Sequence, residues 1–476
     1  MGFSQSLDRY LGDNLNDVLE KALDYSQRLG SSYTDMRAET TFSTSVMVGD
    51  KTIDQATSSF SEGVGIRVLA NGAWGFSATS DTSRNEIMKS VEAAFKMAKG
   101  IGEHLREKVN IASIPPVKDS SKSKAETPFS EVPIERKIQL ALRLSETIRE
   151  NSAVTSASVN YSDSYGRSMF LSSDGSRISG EPSRGTIVFI AVAKEGDKIR
   201  QYRKRIGDIG GYEKLEKKDP ESAARFAAER ASALLKAEQA PGGRFTVVAD
   251  PEHIGVFAHE ALGHATEADF VISGESILTG KLGEKVGMEN VTILDDPTID
   301  GYGSFKYDSE GTPAKKRTLV DKGVLKEYIL NREAAAKLKL APNGGARALG
   351  YQFRPIPRMS NTFIAPGDYS FEELVEDIDS GIYVKGTRGG QVNIAIGSFQ
   401  FSAQEAFLIE KGEITKPLLD VSLSGLTLET LQNIDAVGKD FSLTGIGFCG
   451  KGEQNNLPTG TGGPSVRIRN TVVGGG

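Results

Sequence analysis

The pattern of the chain changes at Pro241-Gly242-Gly243, and that break limits the architectures open to it. Proline and paired glycines are the strongest local punctuation a chain carries. Before the break, helical and strand patterns alternate. Leu15, Val18, Leu19, Ala22 and Leu23 recur at helical spacing within 13–29. TSVMVGDKTIDQATSSF predicts a hairpin turning at Gly49-Asp50, and GVGIRVLANGAWGFSATS a second one turning at Asn71-Gly72. A helix follows over 84–98. Residues 108–133, rich in Ser, Pro and Lys, read as a solvated connector and not as a boundary between independent domains. The plan then repeats, with a helix over 134–150 and strands between 153 and 204, though no sequence identity between the halves is visible. A further helix over 221–240 closes the region.

Beyond the break, a short strand over 244–249 leads into 251–269, which holds three of the four histidines. Short β-type runs separated by Gly and Asp come next: VTILDD, GVLKEYIL, NTFIAPG, GIYVKGT, VNIAIGSFQF and EAFLIEKGEI. At 476 residues the chain is too long for one compact core. The fold class this predicts is α+β in two domains. Residues 1–240 form an N-terminal mixed helix/strand domain. Residues 241–476 form a C-terminal, mainly antiparallel β domain that carries the histidine-bearing helix at its start.

Composition narrows the function classes. A net charge of −6 argues against a nucleic-acid binder, which usually carries a basic excess. Cys449 is the only cysteine, so no internal disulfide forms, and a reducing, cytoplasmic location is expected. The N-terminus is polar and acidic without the basic and apolar regions of a signal peptide, and no apolar run is long enough to span a bilayer. MGFSQS matches the loose myristoylation pattern, which we read as coincidence in the absence of a second anchor.

The chemistry sits at His259-Glu260-Ala261-Leu262-Gly263-His264. Two neutral imidazoles bind zinc, and a carboxylate beside them acts as general base on a water. The usual spacing places the histidines four apart, whereas here they are five apart. On a regular α-helix, residues five apart diverge by about 140° and sit about 7.5 Å apart along the axis. A shared ion therefore requires a π-type turn or a break, with Gly263 as the place where leaving α geometry costs least. Zinc also needs a third protein ligand. His253, Glu267 and Asp269 are near in sequence, and Cys449 lies far along the chain in GFCGKG. Zinc chemistry leaves that choice open. Arg358 and Asn361, in PRMSNT, are candidates for binding a substrate carboxylate or backbone, with a structural salt bridge an equal reading for Arg358. GVG at 63–65 and GIG at 445–447 lack a phosphate-binding context and read as tight turns, and Lys315-Lys316-Arg317 reads as a solvated face.

Several stretches in order carry a wider likeness: GVGIRVLANGAWGFSAT, HEALGHATEAD, VTILDDPT, EGTPAKKRTLVDKGVLKEYI, RPIPRMSNTFIAPG and FCGKGEQ. Through them the chain resembles the TldD/PmbA family, and in particular its catalytic branch. The one departure is HATEAD after His264, where relatives often carry another glycine. The resemblance implies a zinc metallopeptidase of HExxxH type, with His259, His264 and Cys449 as metal ligands, Glu260 as catalytic residue and one Zn2+ per chain. It also implies unfolded proteins or peptides as substrates. The expected assembly is a homodimer, or a heterodimer with a related non-catalytic subunit, with no direct nucleic-acid or membrane partner. A non-catalytic regulatory subunit of gyrase-modulator type, or a metal hydrolase acting on other bonds, is the alternative.

Overall fold

A computed structural model describes residues 13–475. The MGFSQS pattern lies outside the described residues. Helix α1 (Asp13–Leu29) buries the expected stripe of Leu15, Val18, Leu19, Ala22 and Leu23. It lies on strands β1 (Tyr33–Gly49), β2 (Thr52–Ala70) and β3 (Ala73–Thr79) together with α2 (Arg84–His104). The β2–β3 turn sits at Asn71-Gly72 as expected, both residues having positive φ. The first hairpin turns one residue later than expected, at Asp50-Lys51, where φ is 46° and 70° and Gly49 pairs with Thr52. A register shift between Met47 and Val48 moves the turn, and the Asp50 carboxylate pins it by accepting from the Ala157 amide at 2.8 Å. Helix α2 runs six residues past the expected end at 98. Its Gly102 is buried, and a Cβ there would lie 2.6 Å from the Asn71 carbonyl, so the glycine marks close packing and not a stop.

The stretch read as a solvated connector is in part structured. β4 (Lys118–Lys122) pairs in parallel with a later strand, β6. Helix α3 (Ile134–Arg149) and α4 (Pro220–Ala233) cover β5 (Val154–Ser172), β7 (Ser183–Glu195) and β8 (Lys198–Ile209), and β6 (Arg177–Glu181) pairs between β5 and β4. All eight strands join one sheet through the β1–β5 ladder, with α1 and α2 packed beside β1 and β2 and α3 and α4 on β5, β7 and β8. Helix α4 ends at Ala233, short of the expected 240, after which one 3-10 turn leads toward the next strand.

Past Pro241 the main strands are β9 (Gly243–Ala249), β10 (Ile293–Asp295), β11 (Arg317–Asp321), β12 (Asn361–Ile364), β13 (Ser380–Lys385), β14 (Ser442–Lys451), β15 (Gln454–Gly463) and β16 (Val466–Gly474). They form a ten-stranded and a six-stranded sheet, mainly antiparallel. β9 lies between β16, antiparallel, and β13, parallel. β14 ends the six-stranded sheet as its edge. The chain is therefore α+β, as expected. GVLKEYIL is strand only at Val324–Leu325. The two GxG segments lie within β2 and β14 and are not tight turns. A Cβ on Gly65 would meet the Tyr351 carbonyl at 2.1 Å, so close approach explains that glycine. Arg317 is not on a solvated face. Strand alternation turns it fully inward, where it pairs with Asp295 and donates to the Asn343 and Gly344 carbonyls at 2.9 and 2.8 Å.

Residues of the C-terminal half seat on the N-terminal sheet through buried charge. The Arg67 guanidinium pairs with Asp35 and reaches Glu310 at 2.8 Å, and Glu310 also accepts from the Arg332 amide at 2.7 Å. Removing one partner from such a pair strands the other without water, which typically costs about 3–5 kcal/mol. Arg67→Met is therefore expected to lower the thermal unfolding midpoint by several degrees in a calorimetric scan. An unchanged midpoint would show that this contact does not couple the two parts.

Candidate metal centre

Asp250 caps a short helix, α5 (Pro251–Phe257), by accepting from the His253 amide at 2.8 Å, with Pro251 in the first turn where its missing N–H costs nothing. The chain then leaves α geometry. Ala258–Gly263 is a π-helix, and the His264 amide donates to the His259 carbonyl, five residues back. The expected π-type turn is thus present, and it brings residues five apart to one side. Gly263 is there for a different reason than expected. Its φ and ψ of −53° suit any residue, but a Cβ would lie 2.0 Å from the Met359 sulfur. Ile254, Phe257, Ala258, Ala261, Leu262 and Ala265 anchor the segment in the C-terminal core.

His259 and His264 stack edge to face with ring centres 5.3 Å apart. Cys449, on edge strand β14, places its Sγ 3.2 Å from His264 Nε2. One donor atom from each of the three lies within 4.8 Å of the others, and all three residues are buried. The donor set fits zinc. It offers two imidazoles and a thiol, the borderline-soft nitrogen and sulfur ligands zinc takes, and leaves a fourth position for water or substrate. His259 Nδ1 is moreover enclosed without a hydrogen-bond partner among the described residues. Burial alone would push the Cys449 thiol up, but the His259 and His264 imidazoles outweigh it and bring it down to about 5, favouring the thiolate.

The near-sequence candidates for third ligand have other tasks. Glu267 is fully buried and accepts from His264 Nδ1 at 2.9 Å, which leaves Nε2 turned toward Cys449. Lys451 Nζ lies 3.0 Å from the same carboxylate and 2.6 Å from Asp269. Burial opposes the Glu267 charge, yet Lys451 and His264 hold the carboxyl down at about 2. Burial also disfavours the His264 cation, but Glu267 and Cys449 keep the imidazole well above its ordinary value. His253 is committed through Nδ1 to the Gly386 carbonyl at 2.9 Å. Lys451 escaped the sequence reading, because it reaches Glu267 past a register shift in β14 between Cys449 and Lys451.

Glu260 sits at the mouth of the centre, with its side chain 35% exposed and Oε2 3.7 Å from His264 Nε2. It opens on a cavity of about 180 Å3. Gly445 to Phe448 of β14 form one wall and Arg203, Lys204 and Arg205 of β8 another. These basic residues were also not singled out from sequence. Arg358 and Asn361 do not face this cavity, which corrects their reading as substrate contacts. Arg358 is fully buried and donates to the Cys449 and Gln454 carbonyls at 2.8 and 3.3 Å, with Glu267 at 3.8 Å. Asn361 is also fully buried, tied to the Asp296 carbonyl, the Ser304 hydroxyl and the Gly303 amide.

The chain matches the family models for the PmbA/TldA metallopeptidase domain 1 over 34–98, central domain over 127–235 and C-terminal domain over 242–475. It is 47% identical to a metalloprotease of Methanothermobacter thermautotrophicus, covering 98% of both chains. It is 31% identical to a zinc metalloprotease TldD homolog of Saccharolobus solfataricus, covering 96% of this chain and 99% of that one. Among solved structures it shares its fold with TldE of Thermococcus kodakarensis, at a TM-score of 0.77, 18% identity, and coverage of 96% and 100%. A Thermotoga maritima protein with a gyrase-modulator designation has a TM-score of 0.78, 23% identity and the same coverage. With three family segments in order and such identity along its whole length, the chain belongs to the PmbA/TldA metallopeptidase family.

Proposed function

We propose that this protein is a zinc-dependent peptidase that hydrolyses peptide bonds of unfolded or short polypeptides, with Glu260 as general base and one zinc per chain on His259, His264 and Cys449. The convergence of those three donors beside an accessible carboxylate carries the reading. The zinc metalloprotease name of the Saccharolobus relative supports the metal. The cavity supports the substrate. At about 180 Å3 it excludes a folded domain, and its wall is an edge strand, to which an extended chain adds by main-chain hydrogen bonds. A lone buried thiol that must stay reduced to bind metal supports a cytoplasmic setting. We further propose a dimer, either of two copies or with a related subunit lacking the metal motif, for which the shared fold with TldE is the support.

Bound zinc would acidify a water and polarise the scissile carbonyl. The chain's own groups do the rest. Glu260 takes the proton of the attacking water on its carboxylate and returns it to the leaving amine. Glu267 fixes the His264 tautomer by holding a proton on Nδ1, as a carboxylate behind a ligating histidine does. Lys451 keeps Glu267 ionised, and Arg358 holds the backbone at Cys449. A regulatory role of gyrase-modulator type would need none of these groups, so their presence favours the enzyme.

Glu260→Gln is expected to keep zinc at one per chain and to lower kcat on peptides by about 10²–10⁴-fold, the usual contribution of a general base. Metal analysis paired with peptide digestion checks both, and wild-type hydrolysis in the variant would refute the role. Cys449→Ser is expected to lower zinc occupancy sharply, because a hydroxyl replaces a thiolate. Unchanged stoichiometry would remove Cys449 from the ligand set. The raised His264 value sets the pH dependence. Zinc takes the neutral imidazole, so protons compete with it until the pH passes that value. Apparent zinc affinity should keep rising with pH above 6.5 and fall as pH drops, as measured by competition with a chromogenic chelator. A flat profile across that window would contradict the account.

A further inference from the structure

A second, larger cavity of about 710 Å3 adjoins the catalytic one, and Phe448 lines both. That volume is typical of a ligand site. Three arginines surround the Phe448 junction. The Arg184 guanidinium lies 5.6 Å over the Tyr302 ring, and Tyr302 meets Phe448 edge to face at 5.8 Å. The Arg205 guanidinium lies 5.2 Å over the Phe448 ring and donates to the Ile446 carbonyl at 2.6 Å. Arg347 donates to the Met359 and Pro458 carbonyls at 2.6 and 2.8 Å.

Positive charge collects here, and although Arg205 feels Glu252 and Arg347 feels Asp295, no carboxylate of the described residues faces Arg184. Among the described residues, none of the three arginines forms an ion pair with a carboxylate, and Arg184 Nη1 and Arg205 Nε are enclosed with no hydrogen-bond partner. The acids that line the larger cavity are already engaged. Glu39 faces Arg37 at 3.7 Å, and Asp163 holds Lys137 at 2.7 Å. The Asp308 carboxylate accepts from the Glu310, Thr312 and Ala346 amides. Burial lowers the affinity of Arg184 for its proton, opposed by Tyr302, but a guanidinium stays charged in proteins. An enclosed cation lacking its partner is costly, and a ligand of opposite charge offsets that cost. The planar fork of arginine suits a carboxylate.

We propose that the cavity beside Tyr302 and Phe448 is a carboxylate subsite of the peptide-binding cleft, with Arg184 as its anion-binding group and Arg205 and Arg347 supplying the surrounding positive field. This rests on the peptidase reading above. A peptide running along β14 from Gly445 to Phe448 leads into this cavity, so the C-terminal carboxylate of a short substrate is the group that reaches Arg184. An Asp or Glu side chain offers the same chemistry, and the test separates the two sources.

The experiment compares peptides of one sequence carrying a free C-terminal carboxylate or a C-terminal amide, and a second pair with an internal Glu or Gln. Hydrolysis by the full-length wild-type protein and binding to Glu260→Gln are both measured. The wild type should favour the free acid over the amide by about 10- to 100-fold in kcat/KM, as expected for a charge-assisted hydrogen bond. Glu260→Gln should show the same ratio in Kd. Arg184→Gln should bring the ratio close to one, and Arg184→Lys should restore part of it. Should the Glu/Gln pair respond to Arg184→Gln and the acid/amide pair not, the carboxylate is a side chain and the subsite stands. Equal handling of both pairs by the wild type would overturn the subsite, whether or not the arginine variants fold, and so would ratios that Arg184→Gln leaves unchanged. Absence of hydrolysis of every peptide by the wild type would instead defeat the peptidase reading, while the binding ratios in Glu260→Gln would still decide the subsite.

Discussion

One buried carboxylate, Glu267, organises the centre. It has no exposed surface, and its charge is sustained by Lys451 at 3.0 Å and by the Arg358 guanidinium at 3.8 Å. In return it accepts from His264 Nδ1 and so settles which nitrogen faces Cys449. Arg358 also holds the Cys449 carbonyl, and Lys451 lies on the same strand as Cys449. The two distant segments that make the site, residues 258–267 and 449–451, are thus joined through this network. An unsatisfied ionised group at this depth would be costly, which is why the cations around it are themselves enclosed.

The second constraint is the five-residue histidine spacing. It was legible in the sequence, and it predicted that the backbone must leave α geometry between His259 and His264. The π-helix answers that demand. What sequence reasoning could not reach was why Gly263 stands there, because the reason is Met359, nearly a hundred residues away. The same limit explains the other corrections. Arg358 has the chemistry of a substrate contact, but its partners are the carbonyls of residues 449 and 454, invisible to local spacing. Arg317 looks solvated in a run of basic residues, and only the β10–β11 pairing shows that Asp295 receives it.

Local periodicity served well where burial is local. The apolar stripe of α1 and the Asn71-Gly72 turn were readable because a helix face or a two-residue turn is specified by its own residues. Helix ends and the role of 108–133 depended on tertiary contact. Gly102 continues α2 because it packs on Asn71, and β4 exists because β6 offers it an edge. Glu260 and the three donors were legible as residue types. The resemblance to a family singled out Cys449 among the donor candidates, and the geometry brings it to His264.

The proposed centre holds one metal ion on two imidazoles and one thiolate. X-ray absorption at the zinc edge of the purified, zinc-loaded protein tests it most directly. One sulfur at about 2.3 Å and a shell of nitrogen and oxygen at about 2.0–2.1 Å that includes two imidazoles are expected. A first shell of nitrogen and oxygen alone, with no sulfur, would contradict it.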